Sequence, residues 1–396
     1  MAVKVFYSFA GKLGGQGLSL VAEKAVSALI KNKIFYRCVC FGSKSKEHRY
    51  LFNIIRFQPA KIFSFLPSRY YYSMKREWID FVSARLLLKS EANIFHGWTH
   101  ESLRSIHVAK KLGMLTILER GNPHPYYCKK MHDNEAKRNG IKSAYDYSND
   151  ILFLKRFNHC RYEMFEAIRE IEEADYIFVN SIYCAKTYYE NGISNEKVIV
   201  MPRGYDSLKY LPRPKQERDE KFILLFVGQL MMRKGVSYLI KAWKDLNLNN
   251  SELWFVGGIT NEYRDKIDIR ADEKFNIKYF GHVEDASPFY QKASAFILPS
   301  LDEGSAKVTY EAMACGLPCI FTKNTGTVAD ETSALIIPIR STQSIKVAIL
   351  SLYKNVSLRN SLGLKARQKI EKYTWDYYQE NLVKQYKRLL KLRNKN

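Results

Sequence analysis

An α/β architecture of two doubly wound domains follows from three features of this 396-residue chain. Short apolar runs alternate with stretches of helical periodicity, which is the pattern of parallel sheets with crossover helices. The alternation restarts after a segment near 202–220 punctuated by Pro202, Gly204, Pro212 and Pro214, so a domain boundary is expected there. The length suits two domains at roughly 150 residues each.

Each element has a local reason. Residues 4–9 form an apolar run, a glycine-rich turn covers 11–17, and 18–31 has helical periodicity. Residues 37–41, 94–96, 115–118, 176–179 and 198–201 read as further strands. After the boundary, strands are expected at 221–227, 252–256, 277–279, 295–298 and 318–321, with a helix at 235–245. A helix is also expected to begin at Ser305, placing Glu311 about two turns in. The last amphipathic segment, 375–392, presents Tyr377, Tyr378, Leu382, Tyr386, Leu389 and Leu390 as its apolar side. The expected domains are 1–203 together with the terminal helix 376–396, and 204–375. Ligands of such sheets sit beyond the carboxyl ends of the strands, so function is sought in the loops there.

Composition excludes several classes. Apolar residues make up 46% and charged residues 26%, as in a folded globular protein rather than a disordered one. No run approaches the ~18 apolar residues of a membrane-spanning helix. The N-terminus reads as a first strand rather than a secretory leader. Seven cysteines at irregular spacing suggest buried thiols and a reducing, cytoplasmic setting. No zinc-ligand pattern is present. Lysine and arginine outnumber aspartate and glutamate by 63 to 40, a net charge of +23. Such a field favours anionic partners. No concentrated basic reader element is found, so nucleic acid is not expected.

Three loops carry chemistry. Gly14-Gly15-Gln16-Gly17 follows the first strand and lets backbone amides approach a phosphate. Its spacing is not that of a dinucleotide fingerprint, which disfavours a nicotinamide cofactor. Arg233 and Lys234 stand at the start of a helix, where two cations can neutralise a departing diphosphate. Glu303 and Glu311 flank a strand-to-helix turn, where carboxylates can accept hydrogen bonds from sugar hydroxyls and a ribose diol.

The run from Glu303-Gly304 to Glu311-Ala-Met-Ala-Cys-Gly-Leu-Pro318 resembles the E-x7-E region of the retaining glycosyltransferases of family four, which have the GT-B fold. In that fold two Rossmann-like domains face each other across a cleft, and the C-terminal helix crosses back to the first. The Gly14-Gly15 loop, Val200-Met-Pro-Arg-Gly-Tyr-Asp206, Tyr279-Phe-Gly-His-Val283 and Tyr373-Thr-Trp375 resemble further family segments. The resemblance implies a nucleotide-diphosphate sugar as donor, UDP- or GDP-linked, with no metal cofactor. It makes Glu303 the donor-sugar contact, Glu311 the ribose contact and Lys234 a diphosphate cation. Gly304, Ser305 and Ala306 would offer amides, and His282 and Val283 would face the base. Gly14 and Gly15 would approach the donor from the first domain.

There are departures from the pattern. Gln229 stands where the family often has an arginine; Arg233 and Arg203 are the candidate substitutes. The strand-end His-x-His appears as His96-Gly97-Trp98, with His100 two residues further on; His100 is the candidate polar group near the anomeric centre. Glu119, Arg120 and His124 crowd the next strand end and are candidate acceptor-side contacts, with a structural Glu–Arg pair as the alternative. Residues 56–89 hold seven basic residues against two acidic ones, with many aromatics, and 384–395 hold six cations and no acid. Both suit an anionic membrane surface, hence a peripheral enzyme on the inner face acting on a glycan or lipid-linked acceptor. The alternatives are a non-catalytic sugar-nucleotide binder, which Gln229 motivates, and a nucleic-acid-binding protein, which the net charge of +23 motivates.

Overall fold

The computed structural model describes residues 2–44, 52–55, 58–146, 157–212, 221–264 and 267–393. The charged stretch 213–220, Arg56, Phe57 and Lys395 lie outside the described residues. The chain divides into two compact units. One comprises Met1–Asn180, Cys184–Met201 and Tyr378–Asn396; the other comprises Ser181–Tyr183 and Pro202–Tyr377.

The first unit holds a seven-stranded parallel sheet. Its strands are β1 (Val5–Leu13), β2 (Phe35–Ser43), β3 (Phe52–Ile54), β4 (Ile94–Trp98), β5 (Leu115–Arg120), β6 (Tyr176–Val179) and β7 (Val198–Val200), in spatial order 3-2-1-4-5-6-7. The second holds six parallel strands: β8 (Phe222–Val227), β9 (Ser251–Val256), β10 (Ile277–Tyr279), β11 (Ala295–Leu298), β12 (Cys319–Thr322) and β13 (Leu335–Ile337), in order 10-9-8-11-12-13. Both orders reverse direction once, between β1 and β4 and between β8 and β11. These are the topological switch points at which doubly wound sheets open a crevice.

The helix Leu18–Lys31 and the strands β6, β10 and β11 occupy the residues that periodicity predicts. Four features differ. β1 continues to Leu13 because it re-pairs with β2, Lys12 opposite Gly42 and Leu13 opposite Ser43, beyond a register shift after Phe9. In that gap the Ala10 amide donates to Glu101 Oε1 at 2.6 Å. β3 and β13 are additional three-residue edge strands, where the sequence reading expects none. The expected helix at Ser305 begins two residues later, as Lys307–Ala314, because the Ala306 amide donates to Thr325 O at 3.0 Å instead of opening the helix. Glu311 therefore lies little more than one turn in.

The fourth difference is in the terminal helix, Trp375–Arg393. It buries Tyr378, Leu382, Val383, Tyr386, Leu389 and Leu390, with Val383 in place of the expected Tyr377, which is exposed. From Tyr378 onward the helix belongs to the first unit. Gln379 donates to Lys24 O at 2.8 Å, and Tyr386 OH shares a 2.5 Å hydrogen bond with His96 Nδ1. All seven cysteines are free. No helix among the described residues is long and apolar enough to cross a membrane.

Candidate active site

The second unit builds its polar cluster at the β8/β11 switch point. β8 ends at Val227 and leads through Gly228 (φ 139°) and exposed Gln229 to a short turn, Met232–Lys234. Gly235 closes that turn with φ 69°, a left-handed conformation that suits glycine. A side chain there would also meet Pro299 O at 2.2 Å, so this glycine lets the β8 loop lie against the end of β11. The Leu301 amide donates to Arg233 O at 2.8 Å and locks the two loops together.

Three charges converge across that seam. Lys234 Nζ is 2.9 Å from Glu303 Oε1, and Arg233 Nη1 is 3.2 Å from Glu303 Oε2. Arg233 also donates to Asp302 O. Burial on its own would raise the Glu303 carboxyl, but Lys234 and Arg233 hold it below the usual carboxylate range. The group is therefore ionised at neutral pH, facing two cations with only 12% of its side chain exposed.

The neighbouring positions differ in what they leave free. The Ala306 and Glu303 amides are spent on Thr325 O and Asn324 O, which corrects the expectation that Ala306 offers its amide to a ligand. Ser305 Oγ lies 3.2 Å from Tyr310 OH, which also takes a backbone hydrogen bond from Arg203. The Nε and Nη2 atoms of Arg203 are buried without a hydrogen-bond partner. Glu311 accepts from Tyr290 OH at 2.9 Å and pairs with Lys307 at 2.8 Å. His282 is exposed and Val283 half-buried in the loop after β10. The structure thus brings Arg233, Lys234 and Glu303 together, and sets Arg203 beside Tyr310 and Ser305.

In the first unit the β1/β4 switch point carries Gly14 and Gly15 (φ 87° and 98°) and the turn at His100. A side chain at Gly15 would press on Lys44 Nζ at 2.9 Å. His100 has φ 75°, a costly conformation for a non-glycine residue. Glu170 holds it there, accepting from the His100 amide at 2.6 Å, the Ser102 amide at 2.8 Å and Thr99 Oγ1 at 3.1 Å. Burial raises the Glu170 carboxyl to about 7. The His100 ring is buried 4.8 Å from His159 (centroid to centroid), with Nε2 unpartnered. Burial, then His159 and the Arg76 and Arg120 charges, push His100 well below the ordinary histidine range. A neutral imidazole is therefore expected at pH 7.

Arg120 and His124 prove to have internal hydrogen-bond partners rather than free acceptor-facing groups, and Glu119 is buried against His96 with Oε2 making no hydrogen bond. Arg120 is fully buried and donates through Nη2 to Glu163. The Glu–Arg pair is real, but its acid is Glu163, 43 residues away. Glu119 is buried 3.3 Å from His96. His124 Nδ1 accepts from the Tyr126 amide at 3.3 Å and caps the helix Pro125–Arg138. Burial lowers His124 to about 4, which keeps that cap acceptor unprotonated.

Glu163 also accepts from Tyr145 OH at 3.0 Å. Glu163→Ala should therefore destabilise the chain by about 3–5 kcal/mol, because it leaves a buried guanidinium without its carboxylate. Urea unfolding measures this; a loss below 1 kcal/mol would show that the pair is not buried in solution.

Sequence reading missed Arg76, His159, Glu163 and Glu170. They lie on the helices Ser68–Leu87 and His159–Glu173, far from the strand ends in sequence, and nothing in their local spacing marks them. His100, His159 and Glu163 bring possible ligand atoms within 4.8 Å of one another. Two guanidiniums oppose a divalent cation there: Arg120 on Glu163, and Arg76, whose Nη1 is 3.1 Å from His159 Nδ1.

Comparison with known proteins follows these boundaries. Residues 221–355 match glycosyl transferases group 1. The capsular polysaccharide biosynthesis glycosyltransferase CapM of Staphylococcus aureus is 28% identical over 209 residues, 51% of this chain and 54% of that protein. The chain spans about half the length of the curated relatives it matches. Among solved structures, sucrose-phosphate synthase of Thermosynechococcus elongatus superposes with a TM-score of 0.69 at 16% identity, covering 98% of this chain and all of that one. HepE of Anabaena, solved in complex with UDP, gives 0.65 at 12% identity, with 97% and 99% coverage. At such identities the likeness shows the fold, which is GT-B. Residues 221–355 thus carry a sequence match to the glycosyl transferases group 1, within a chain whose two-domain α/β fold is GT-B.

Proposed function

We propose that the chain is a retaining glycosyltransferase. It moves a hexose-type sugar from a nucleotide-diphosphate donor to a glycan or lipid-linked acceptor, in the synthesis of a bacterial-type surface polysaccharide or glycolipid. The observation that carries this reading is the Arg233–Lys234–Glu303 cluster at the switch point of the second sheet. Two cations beside one ionised carboxylate suit a ligand that presents a diphosphate next to a sugar. CapM, a capsular polysaccharide glycosyltransferase, and HepE, solved with UDP, are relatives in keeping with it.

In this reading the second unit holds the donor. Lys234 and Arg233 neutralise the departing diphosphate, and Arg203 supplies the cation that Gln229 does not. Glu303 accepts from the sugar hydroxyls, and Glu311 lies on the ribose side. The first unit takes the acceptor, and neutral His100 acts as a hydrogen-bonding group near the anomeric centre. Side-chain cations meet the phosphate charge without a divalent metal. The enzyme works at the inner, cytoplasmic face of the membrane.

The test is a thermal-shift panel of UDP, GDP, ADP, CMP and dTDP with and without EDTA. A ligand at 100 times its dissociation constant stabilises by about 2.7 kcal/mol, enough to register. Selective stabilisation by one diphosphate, UDP first among them, that persists in EDTA is the expected result. No shift at millimolar concentration would overturn the donor site. A shift without turnover of any donor would favour the non-catalytic binder, the reading to which exposed Gln229 points.

A further inference from the structure

The first unit carries a polar hollow at the end of its sheet opposite the candidate catalytic loops. The loops with Gly14, Gly15 and His100 follow the carboxyl ends of β1 and β4. The hollow, of about 520 Å³, opens at the amino ends of β5, β6 and β7. Leu115 begins β5, Tyr176 begins β6, and Ser194, Glu196 and Lys197 lead into β7. Arg393, the last residue of the terminal helix, joins the same lining. The volume falls within the roughly 300–1,000 Å³ of small-molecule sites.

The charges around the hollow are unevenly spent. Asp175 Oδ2 accepts from the Thr116 amide and hydroxyl, both at 2.8 Å, and Oδ1 lies 3.7 Å from Lys110 Nζ. Lys197 Nζ donates to Glu172 O at 2.6 Å, a carbonyl rather than a carboxylate. Burial and the Lys110 charge lower the Lys197 ammonium from its usual value, so positive charge is crowded here. Arg393 Nη1 is buried with no hydrogen-bond partner among the described residues. A buried guanidinium nitrogen is normally paired, and its fork fits the oxygens of an oxyanion. A phosphate monoester carries a charge of about −1.5 to −2 on three acceptor oxygens, which suits two cations better than the two oxygens of a carboxylate. Beside the cations, Ser194 Oγ accepts from the Glu196 amide at 3.3 Å, which leaves its proton for a ligand hydroxyl. Glu196 is exposed and can accept from another. Leu115 and the Tyr176 ring supply apolar surface for the face of a sugar ring.

We propose that this hollow is a binding site for a small phosphorylated sugar, at the sheet end away from Gly14, Gly15 and His100. The phosphate pairs with Arg393 and Lys197, the hydroxyls meet Ser194 and Glu196, and the ring lies on Tyr176. The donor cations Arg233 and Lys234 belong to the second unit and take no part, so the inference stands apart from the transferase reading.

The test is calorimetric titration of the full chain with glucose 6-phosphate, and with glucose and inorganic phosphate as separate probes. Glucose 6-phosphate should bind at least tenfold more tightly than either fragment. R393Q should lose roughly tenfold or more of that binding while keeping the melting temperature and the UDP thermal shift of the parent. K234A, which alters the donor cations alone, should bind glucose 6-phosphate as the parent does. In hydrogen exchange the same probe should slow the amides of residues 194–197 and leave those of 228–234 unchanged. No binding at millimolar concentration, equal binding by R393Q, binding lost in K234A, or protection at 228–234 instead of 194–197 would each overturn the proposal. Inorganic phosphate binding as tightly as glucose 6-phosphate would also overturn it, because the hollow would then hold an anion without reading the sugar.

Discussion

Lys234→Ala is expected to weaken binding of the nucleoside diphosphate at least tenfold and to lower sugar transfer by about 10²–10³. Lys234 Nζ lies 2.9 Å from Glu303 Oε1, and only 13% of its side chain is exposed. The same ammonium passes 3.1 Å from the Cβ position of Gly228, so it crosses the mouth of the β8 loop rather than pointing into solvent. A cation so placed acts in a partly water-excluded site, where removing one stabilising group of this kind typically costs about 10²–10³ in rate. Arg233 remains in the variant, so some affinity for the diphosphate survives. Calorimetric titration with UDP, paired with steady-state kinetics, measures both effects. Lys234→Arg should recover part of the binding. Unchanged affinity in a well-folded Lys234→Ala would remove this residue from the phosphate site.

Glu303→Gln should split the two functions the other way. Transfer should fall by about 10²–10³, while UDP binds as tightly as in the parent chain or more tightly. In the described state Glu303 neutralises the two cations that a diphosphate needs, with Arg233 at 3.2 Å and Lys234 at 2.9 Å. An arriving diphosphate must compete with this internal carboxylate, and the isosteric amide removes the competitor without opening a cavity. In the proposed role, turnover falls because one accepting carboxylate oxygen and its charge are replaced by an amide NH2, which donates. Because the Glu303 carboxyl is held below the usual range, the difference between variant and parent should persist across neutral pH. A variant that turns over like the parent would take Glu303 out of the site; one that loses UDP affinity would make it a structural support for the cations.

Much of the fold and part of the candidate site were legible in the sequence. Strand–turn–helix units are encoded by neighbours: an apolar run, a short turn, with glycines at positive φ after β1 and β8, then a 3.6-residue repeat. The Arg233–Lys234 turn and the Glu303 turn were located in this way, and the structure joins them through the Leu301–Arg233 hydrogen bond. The edge strands β3 and β13 were not legible, whereas β7 and β10, also three residues long, were. Nor was the start of the helix Lys307–Ala314, which depends on a hydrogen bond to Thr325 from a different loop.

The first unit separates the two kinds of information further. Sequence placed His96, His100, Glu119, Arg120 and His124 at or near strand ends, with Glu119, Arg120 and His124 as acceptor-side contacts and His100 as the polar group near the anomeric centre. Tertiary structure gave Arg120 to Glu163, Glu119 to His96 and His124 to a helix cap. It kept His100 as a strained, buried ring beside His159. By itself the sequence determined the two doubly wound sheets, their boundary region and the loops that carry the charged motifs, because hydrophobic period and turn chemistry act over a few residues. Only the tertiary structure decided which of those charges face one another and which are consumed in the core. A buried polar group must find its partner wherever the fold brings one, and that partner can lie 43 residues away, as for Arg120, or 290, as for His96 and Tyr386.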